Sequence, residues 1–256
     1  MGVNIKVKAA IALGGALALA ACVDGSGSPA IHETVVETRA LDPGGVFTLD
    51  NVNGRVTVTT WSEPRVRIEA EKAAWSEARL RELRVEIDGE GRRVDVRTRM
   101  PRGTWLFGGG GSRVQYRITL PEGARVRVGT VNGSVEVTGV AGELRASTTN
   151  GSVEVTDAAG VVEASTVNGG IRARYRVVDS DSRHSFSTTN GSINVSVGPG
   201  AGGRVEASTV NGSIENELPL ESTSRATRRR LEGRLGKGSG SLHLNTVNGS
   251  IHLRKG

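Results

Sequence analysis

The chain has 256 residues, with 33 basic and 27 acidic side chains, 36 glycines and only 3% aromatic residues. A formal net charge of +6 is too mild for the electrostatic footprint of a nucleic-acid binder. So few rings make a thick globular core hard to fill, whereas a narrow interior lined by Val, Ala and Thr suits the composition.

Lys6 and Lys8 precede an apolar run from Ala9 to Ala21, which is too short to span a bilayer. Residues 1–21 therefore read as a secretory signal peptide. The run ends Leu19-Ala20-Ala21-Cys22, which resembles the bacterial lipobox, where small residues precede a cysteine that becomes the lipid-bearing first residue. Cys22 is the only cysteine, so it has no internal disulfide partner and fits a lipid anchor. Each acyl methylene buried in a membrane contributes roughly 0.8 kcal/mol, so more than one chain makes a firm tether. Removal of Lys6 and Lys8 leaves 31 basic against 27 acidic residues, a net of +4. Residues 22–45 mix Gly, Ser, Pro and charge and read as the lipidated N-terminus and flexible tether.

Residues 46–120 predict an irregular β part. Val46–Leu49 and Arg55–Val58 flank Asn53-Gly54, and further strands are expected at Val66–Ala70, Leu83–Ile87, Val94–Val96 and Val114–Ile118. Lys72–Arg81 is the one segment of helical character. Solenoid ends must be covered to stop edge-to-edge recruitment of other chains, and this helix with its irregular strands is the candidate N-terminal cap.

Residues 121–256 carry the repeat. Thr-(Val/Thr)-Asn-Gly occurs six times, with Asn132, Asn150, Asn168, Asn190, Asn211 and Asn248 at steps of 18, 18, 22, 21 and 37 residues. Counting back from each Asn by two, four and six residues gives apolar or Thr positions, such as Thr148, Ala146 and Leu144; counting forward by three and five gives pairs such as Val153 and Val155. Period-2 alternation on both sides of the turn means two half-buried strands per repeat. His184 and Asn216 break the apolar pattern. An antiparallel meander with Asn-Gly hairpins is the competing arrangement. It gives the turns no reason to copy one another beyond turn chemistry. In a parallel solenoid each turn lies about 4.8 Å above the last, where Asn amides and Thr hydroxyls stack in hydrogen-bonded ladders and Gly takes a positive-φ turn position. The fold class expected is therefore all-β, a single-chain parallel β-helix or β-solenoid.

The phrases TVNGSV, GELRASTTNGSVEV and ASTVNGG, with YRITLPEGARVRVGTVNG before them and LEGRLGKGSGSLHLNTVNGSIHL at the end, resemble domain-of-unknown-function family 4097 (DUF4097), the adhesin-like family. The resemblance covers roughly residues 46–254. It implies a β-solenoid that is exported or membrane-associated, with no catalytic residues to carry over. The family's adhesin label is itself inferred from architecture.

Glu136 and Glu154 share an outer column one coil apart, and two carboxylates about 5 Å apart are the separation of retaining glycosidases. No third polar group is spaced to orient them. The four histidines, His32, His184, His243 and His252, lack the spacing of a metal site, and no cofactor is expected. Trp105 and Phe107, at the root of the Gly108–Gly111 loop, are a candidate contact patch if exposed and a plug of the solenoid end if buried. Arg228, Arg229 and Arg230, in the longest insertion, are candidate contacts for anionic headgroups or acidic glycan. The expected function is a lipid-anchored envelope protein with a non-enzymatic binding or structural surface, its partners the membrane through Cys22 and an envelope protein or glycan. An enzyme acting on envelope polysaccharide and an assembly or sensory partner of another envelope protein are the alternatives.

Overall fold

A computed structural model describes residues 16–21, 31–101, 111–175, 182–198 and 201–256. Nearly all of them are strand, with one short helix. The repeat folds as a two-sided β-solenoid. Strands preceding the Asn-Gly turn stack in parallel in one sheet and strands following it in the other, with Thr148 beside Thr130 and Thr166, and Val153 beside Val135 and Ile171. The predicted parity holds. Val126, Val128, Leu144, Ala146, Val162 and Ala164 are buried from one sheet, and Val135, Val137, Val153, Val155, Ile171 and Ala173 from the other. Side chains this small let the two sheets close on a thin core, and where the core is wider it is filled by buried rings after all, Phe47, Tyr116, Tyr175 and Phe186.

Spatial order departs from chain order at both ends. The strand Arg183–Asn190 pairs with Ser241–Asn248, not with the next repeat, and Ser241–Asn248 pairs in turn with Gly203–Asn211. Its companion Ile251–Lys255 likewise lies between Ile193–Val197 and Ile214–Asn216. The last coil of the chain is thus an interior rung. At the other end, Val46–Asp50 lies between Gly91–Arg99 and Arg125–Asn132, and Val56–Trp61 lies between Arg113–Pro121 and Val135–Thr138. Each of these two coils, the first and the last in the chain, is held by neighbours on both sides, and less regular segments form the ends.

Antiparallel strands close those ends. The hairpin Leu220–Ala226 and Arg230–Leu235 lies on Gly203–Asn211 and accounts for the longest insertion. Arg84–Asp88 covers Gly91–Arg99 in one sheet, and Arg65–Ala74 covers Arg113–Pro121 in the other. The helix is shorter than expected, spanning Glu77–Glu82, with the Ser76 hydroxyl accepting from the Arg79 amide and Leu80 buried beneath it. Lys72–Ala74 belongs instead to the strand Arg65–Ala74, where antiparallel pairing to Ile31–Ala40 and a 2.8 Å ion pair from Lys72 to Glu33 hold it extended.

The tether expectation is corrected from residue 31 onward. Ile31–Asp50 is one strand that pairs with Arg65–Ala74 through its first half and enters the other sheet through its second. Its Gly44-Gly45 pair lies between those halves, within a register shift, so the glycines turn a sheet corner. Within the apolar run expected as a signal peptide, Ala16–Ala21 pairs antiparallel with Ile31–Val36. Cys22 lies outside the described residues.

Candidate binding surface

The repeated phrase is a set of three linked contacts. The Thr side chain points inward and is buried in all six repeats. Its hydroxyl does not bond to the next Thr, as the stacking expectation had it, but donates to the glycine carbonyl of the neighbouring coil. Thr148 donates to Gly133, Thr166 to Gly151, Thr188 to Gly169, Thr246 to Gly191 and Thr209 to Gly249, at 2.8–2.9 Å. The same oxygens dictate the glycine. A Cβ at Gly169 would sit 1.9 Å from the Gly151 carbonyl oxygen, and one at Gly191 equally close to that of Gly169. Close backbone approach, more than a left-handed φ, is therefore what excludes a side chain here.

The Asn side chains form one continuous chain of amides. Asn132 donates to Asn53, Asn150 to Asn132, Asn168 to Asn150, Asn190 to Asn168, Asn248 to Asn190 and Asn211 to Asn248, each at 2.8 Å. Every bond points toward the same end of the stack, where Asn53 donates to the Ser112 carbonyl. Each interior amide spends one of two N–H groups and one of two lone pairs, so a periodic row of donors and acceptors still faces solvent. Asn51 occupies the position that Thr fills elsewhere. Its buried amide donates to the Val114 carbonyl and accepts from Thr98, whose hydroxyl also meets Tyr116.

Outside this ladder, the solvent faces carry columns of varying charge over a largely apolar interior. Arg145 reaches Glu143 at 2.9 Å and Glu163 at 3.3 Å, and His243 lies 3.2 Å from Glu206. Glu136 and Glu154 are in register as expected, but Arg55 lies 3.5 Å from Glu136 and Arg172 lies 3.3 Å from Glu154. These are half-exposed ion pairs between neighbouring coils. His184 is a core residue, 3% exposed, accepting from the Val162 amide and set edge-on to Tyr175 at 4.8 Å. Asn216 ends its strand by bonding both amide atoms to the backbone of Leu218.

The arginine cluster sits at the tip of the capping hairpin. The Arg228 and Arg229 carbonyls accept from Ile214 and Thr209, and Arg230 is paired to Glu232 at 2.6 Å. Arg228 and Arg229 project from an exposed turn closed by the Thr227 hydroxyl. Trp105 and Phe107 lie outside the described residues. Among the described residues, no three His, Cys, Asp or Glu side chains group to hold a metal ion, and no helix is long and apolar enough to cross a membrane.

A stack of near-identical coils, laddered along one corner and variably charged outside, defines a β-solenoid. The sequence profile of the toastrack DUF4097 family matches residues 112–254, more than half of the chain, and the chain belongs to that family. No curated protein matches it. Among solved structures, it is similar to a "putative cell adhesion protein" from Clostridium sporogenes ATCC 15579, at 12% identity and a TM-score of 0.50, over 86% of this chain and 99% of that one. A "putative adhesin" from Bacteroides fragilis NCTC 9343 matches at 8% identity and a TM-score of 0.33, over 86% of this chain and 96% of that one. A "putative lipid binding protein" from Parabacteroides distasonis ATCC 8503 matches at 14% identity and a TM-score of 0.38, over 91% and 99% of the two chains. The first of these supports the fold.

Proposed function

We propose that this protein is a non-catalytic, adhesin-like module of the bacterial cell envelope, exported and held at a membrane by lipid on Cys22, with its solenoid surface as the binding element. The observation that carries the reading is the division of labour within each coil. Inward Thr, Gly and small apolar residues repeat, while outward positions in register, Arg127, Arg145, Glu163, Ser185, His243 and Glu206, change from coil to coil. A scaffold that repeats inside and varies outside suits recognition by surface. Family membership and the names borne by similar structures agree with that reading. The pairing of Glu136 and Glu154 with separate arginines weighs against a carboxylate-pair hydrolase.

Removal of residues 1–21 would take the strand Ala16–Ala21 with it and free the Ile31–Val36 edge in the mature protein. The test is two-part. Mass spectrometry of protein recovered from native membranes should find Cys22 as the acylated N-terminus, and cells expressing it should gain attachment to other cells or to envelope material. A soluble, unacylated product would overturn the anchor. Turnover of acidic or neutral glycans, lost in Glu136→Gln with Glu154→Gln, would overturn the non-catalytic reading.

A further inference from the structure

Asparagine is a thermolabile residue, and most of all before glycine. The deprotonated backbone nitrogen of the glycine attacks the Asn Cγ, and a residue without a β-carbon leaves that approach open. The chain carries seven such pairs, Asn53-Gly54 and the six of the repeat. All seven asparagines belong to one ladder, and the question is which of them the ladder protects.

Six pairs are held at both reacting groups. The Gly54 amide donates to the Asn132 carbonyl, Gly133 to Asn150, Gly151 to Asn168, Gly169 to Asn190, Gly191 to Asn248 and Gly249 to Asn211, at 2.8–3.0 Å. A proton shared in such a bond is harder to remove, and its nitrogen is pinned against the neighbouring coil. The electrophile is pinned too. In each of these six pairs the Asn Oδ1 accepts from the amide of the adjoining Asn.

The seventh pair, Asn211-Gly212, ends the stack. Beyond Asn211 the sheet continues only as the antiparallel hairpin Leu220–Ala226 and Arg230–Leu235. That hairpin replaces a coil in part: the Arg229 carbonyl accepts from the Thr209 amide at 3.0 Å and the Arg228 carbonyl from the Ile214 amide at 2.9 Å. Gly212 lies between those two, and among the described residues nothing accepts from its N–H. Nothing among them donates to the Asn211 Oδ1 either. The exposed side chain is held by its single 2.8 Å bond to Asn248. The opposite end of the ladder is closed, because Asn53 donates to the Ser112 carbonyl and Gly54 is bonded to Asn132.

We infer that Asn211 is a self-modification site of the folded protein, losing its side-chain amide through Gly212 while the stack preserves the other six. The Gly212 nitrogen gives its proton to hydroxide and bonds to the Asn211 Cγ. The bond from Cγ to Nδ2 breaks, and the nitrogen takes a proton from water and leaves as ammonia. Water then opens the five-membered succinimide at either carbonyl, leaving aspartate or, where the backbone carbonyl is attacked, isoaspartate. The sum is one water consumed and one ammonia released, with no oxidant or reductant. The product carries a negative charge and no donor for Asn248, so the ladder loses its last bond. Isoaspartate also lengthens the backbone between Thr209 and Ile214, the two residues on which the hairpin rests.

Peptide mapping by mass spectrometry tests this on the full chain, incubated at mildly alkaline pH either folded or in guanidinium chloride. In denaturant the seven asparagines should convert at comparable rates, since each precedes a glycine. In the folded chain Asn211 should convert about tenfold faster than any other, the factor that one net hydrogen bond on the nucleophile supplies. Its product should contain isoaspartate, and its rate should rise with hydroxide concentration. Asn211→Gln, whose longer side chain would have to close a six-membered ring, should leave the folded chain unmodified over the same period. Conversion of Asn150 or Asn168 as fast as that of Asn211 overturns the proposal. So does a folded chain that keeps Asn211 intact while the denatured one converts. Aspartate formed at Asn211 without isoaspartate overturns it as well, because water and not Gly212 would then be the nucleophile.

Discussion

The side-chain amide of Asn248 donates to Asn190, 58 residues earlier in the chain, at 2.8 Å. The coil that ends the protein is therefore sandwiched between two others, and its loss should be felt far beyond a terminus.

Truncation after residue 240 tests this. It removes the buried side chains of Leu242, Leu244, Ile251 and Leu253, each contributing about 1.5–3 kcal/mol. Their sum rivals the whole stability of an ordinary domain, about 5–15 kcal/mol. The truncated chain should lose cooperative unfolding of its C-terminal coils, measured by circular dichroism melts. A synthetic peptide of residues 241–256 added in trans should restore part of the transition. A truncation that melts like the parent would contradict the inserted rung.

Gly169→Ala should be among the most damaging single-methyl additions in the chain, because its new carbon would lie 1.9 Å from the Gly151 carbonyl. We expect a loss of more than about 3 kcal/mol by urea unfolding. Gly44→Ala is the control. Nothing lies within 4 Å of its added carbon, and a change within about 1 kcal/mol of neutral is expected.

Thr166→Val keeps the volume and removes the donor to the Gly151 carbonyl. Stripping a partner from a largely enclosed carbonyl costs about 1–3 kcal/mol. Thr166→Ser should recover most of that loss, which separates the hydrogen bond from the packing. Equal midpoints for the Val and Ser variants in denaturant titrations would assign the column to packing alone.

Alkaline pH should unfold the protein through its tyrosines. Burial pushes the Tyr116 hydroxyl up to about 12, against a hydrogen bond with Thr98 that acts in the other direction. Burial also holds Tyr175 well above its ordinary value. A folded pKa raised above the unfolded one means that stability is fully present below pH ~10 and is lost as pH rises toward 12, on the order of 2–3 kcal/mol for Tyr116. These are the chain's only two tyrosines. Tyrosinate absorbance should therefore lag behind that of a free phenol until unfolding begins, and a simple titration at the ordinary pKa would show exposed rings.

Much of the coil was legible from residue spacing. The alternation around Asn150, with Leu144, Ala146 and Thr148 before it and Val153 and Val155 after it, specified two inward-facing strands and their register. The requirement for an in-register partner made the stacking parallel. The roles within the phrase were less legible. Spacing says that Thr, Asn and Gly recur together, but not that Thr166 reaches Gly151 or that the glycine is needed for contact between neighbouring backbones. The extended course of Ile31–Ala40 was hidden by a composition that reads as linker. Its order comes from pairing with Arg65–Ala74, a partner far along the chain.

The sequence by itself determined the unit: strand, laddered turn, strand, one face in and one face out, with a core filled mostly by small side chains. It could not determine which unit rests on which, because copies of one phrase offer one another the same amide, hydroxyl and carbonyl, and local chemistry is nearly indifferent to their order. Only the tertiary structure decided that Asn248 lies between Asn190 and Asn211. There the hairpin Leu220–Leu235 covers the outer edge of Gly203–Asn211, and the inner edge is left for the last strands of the chain.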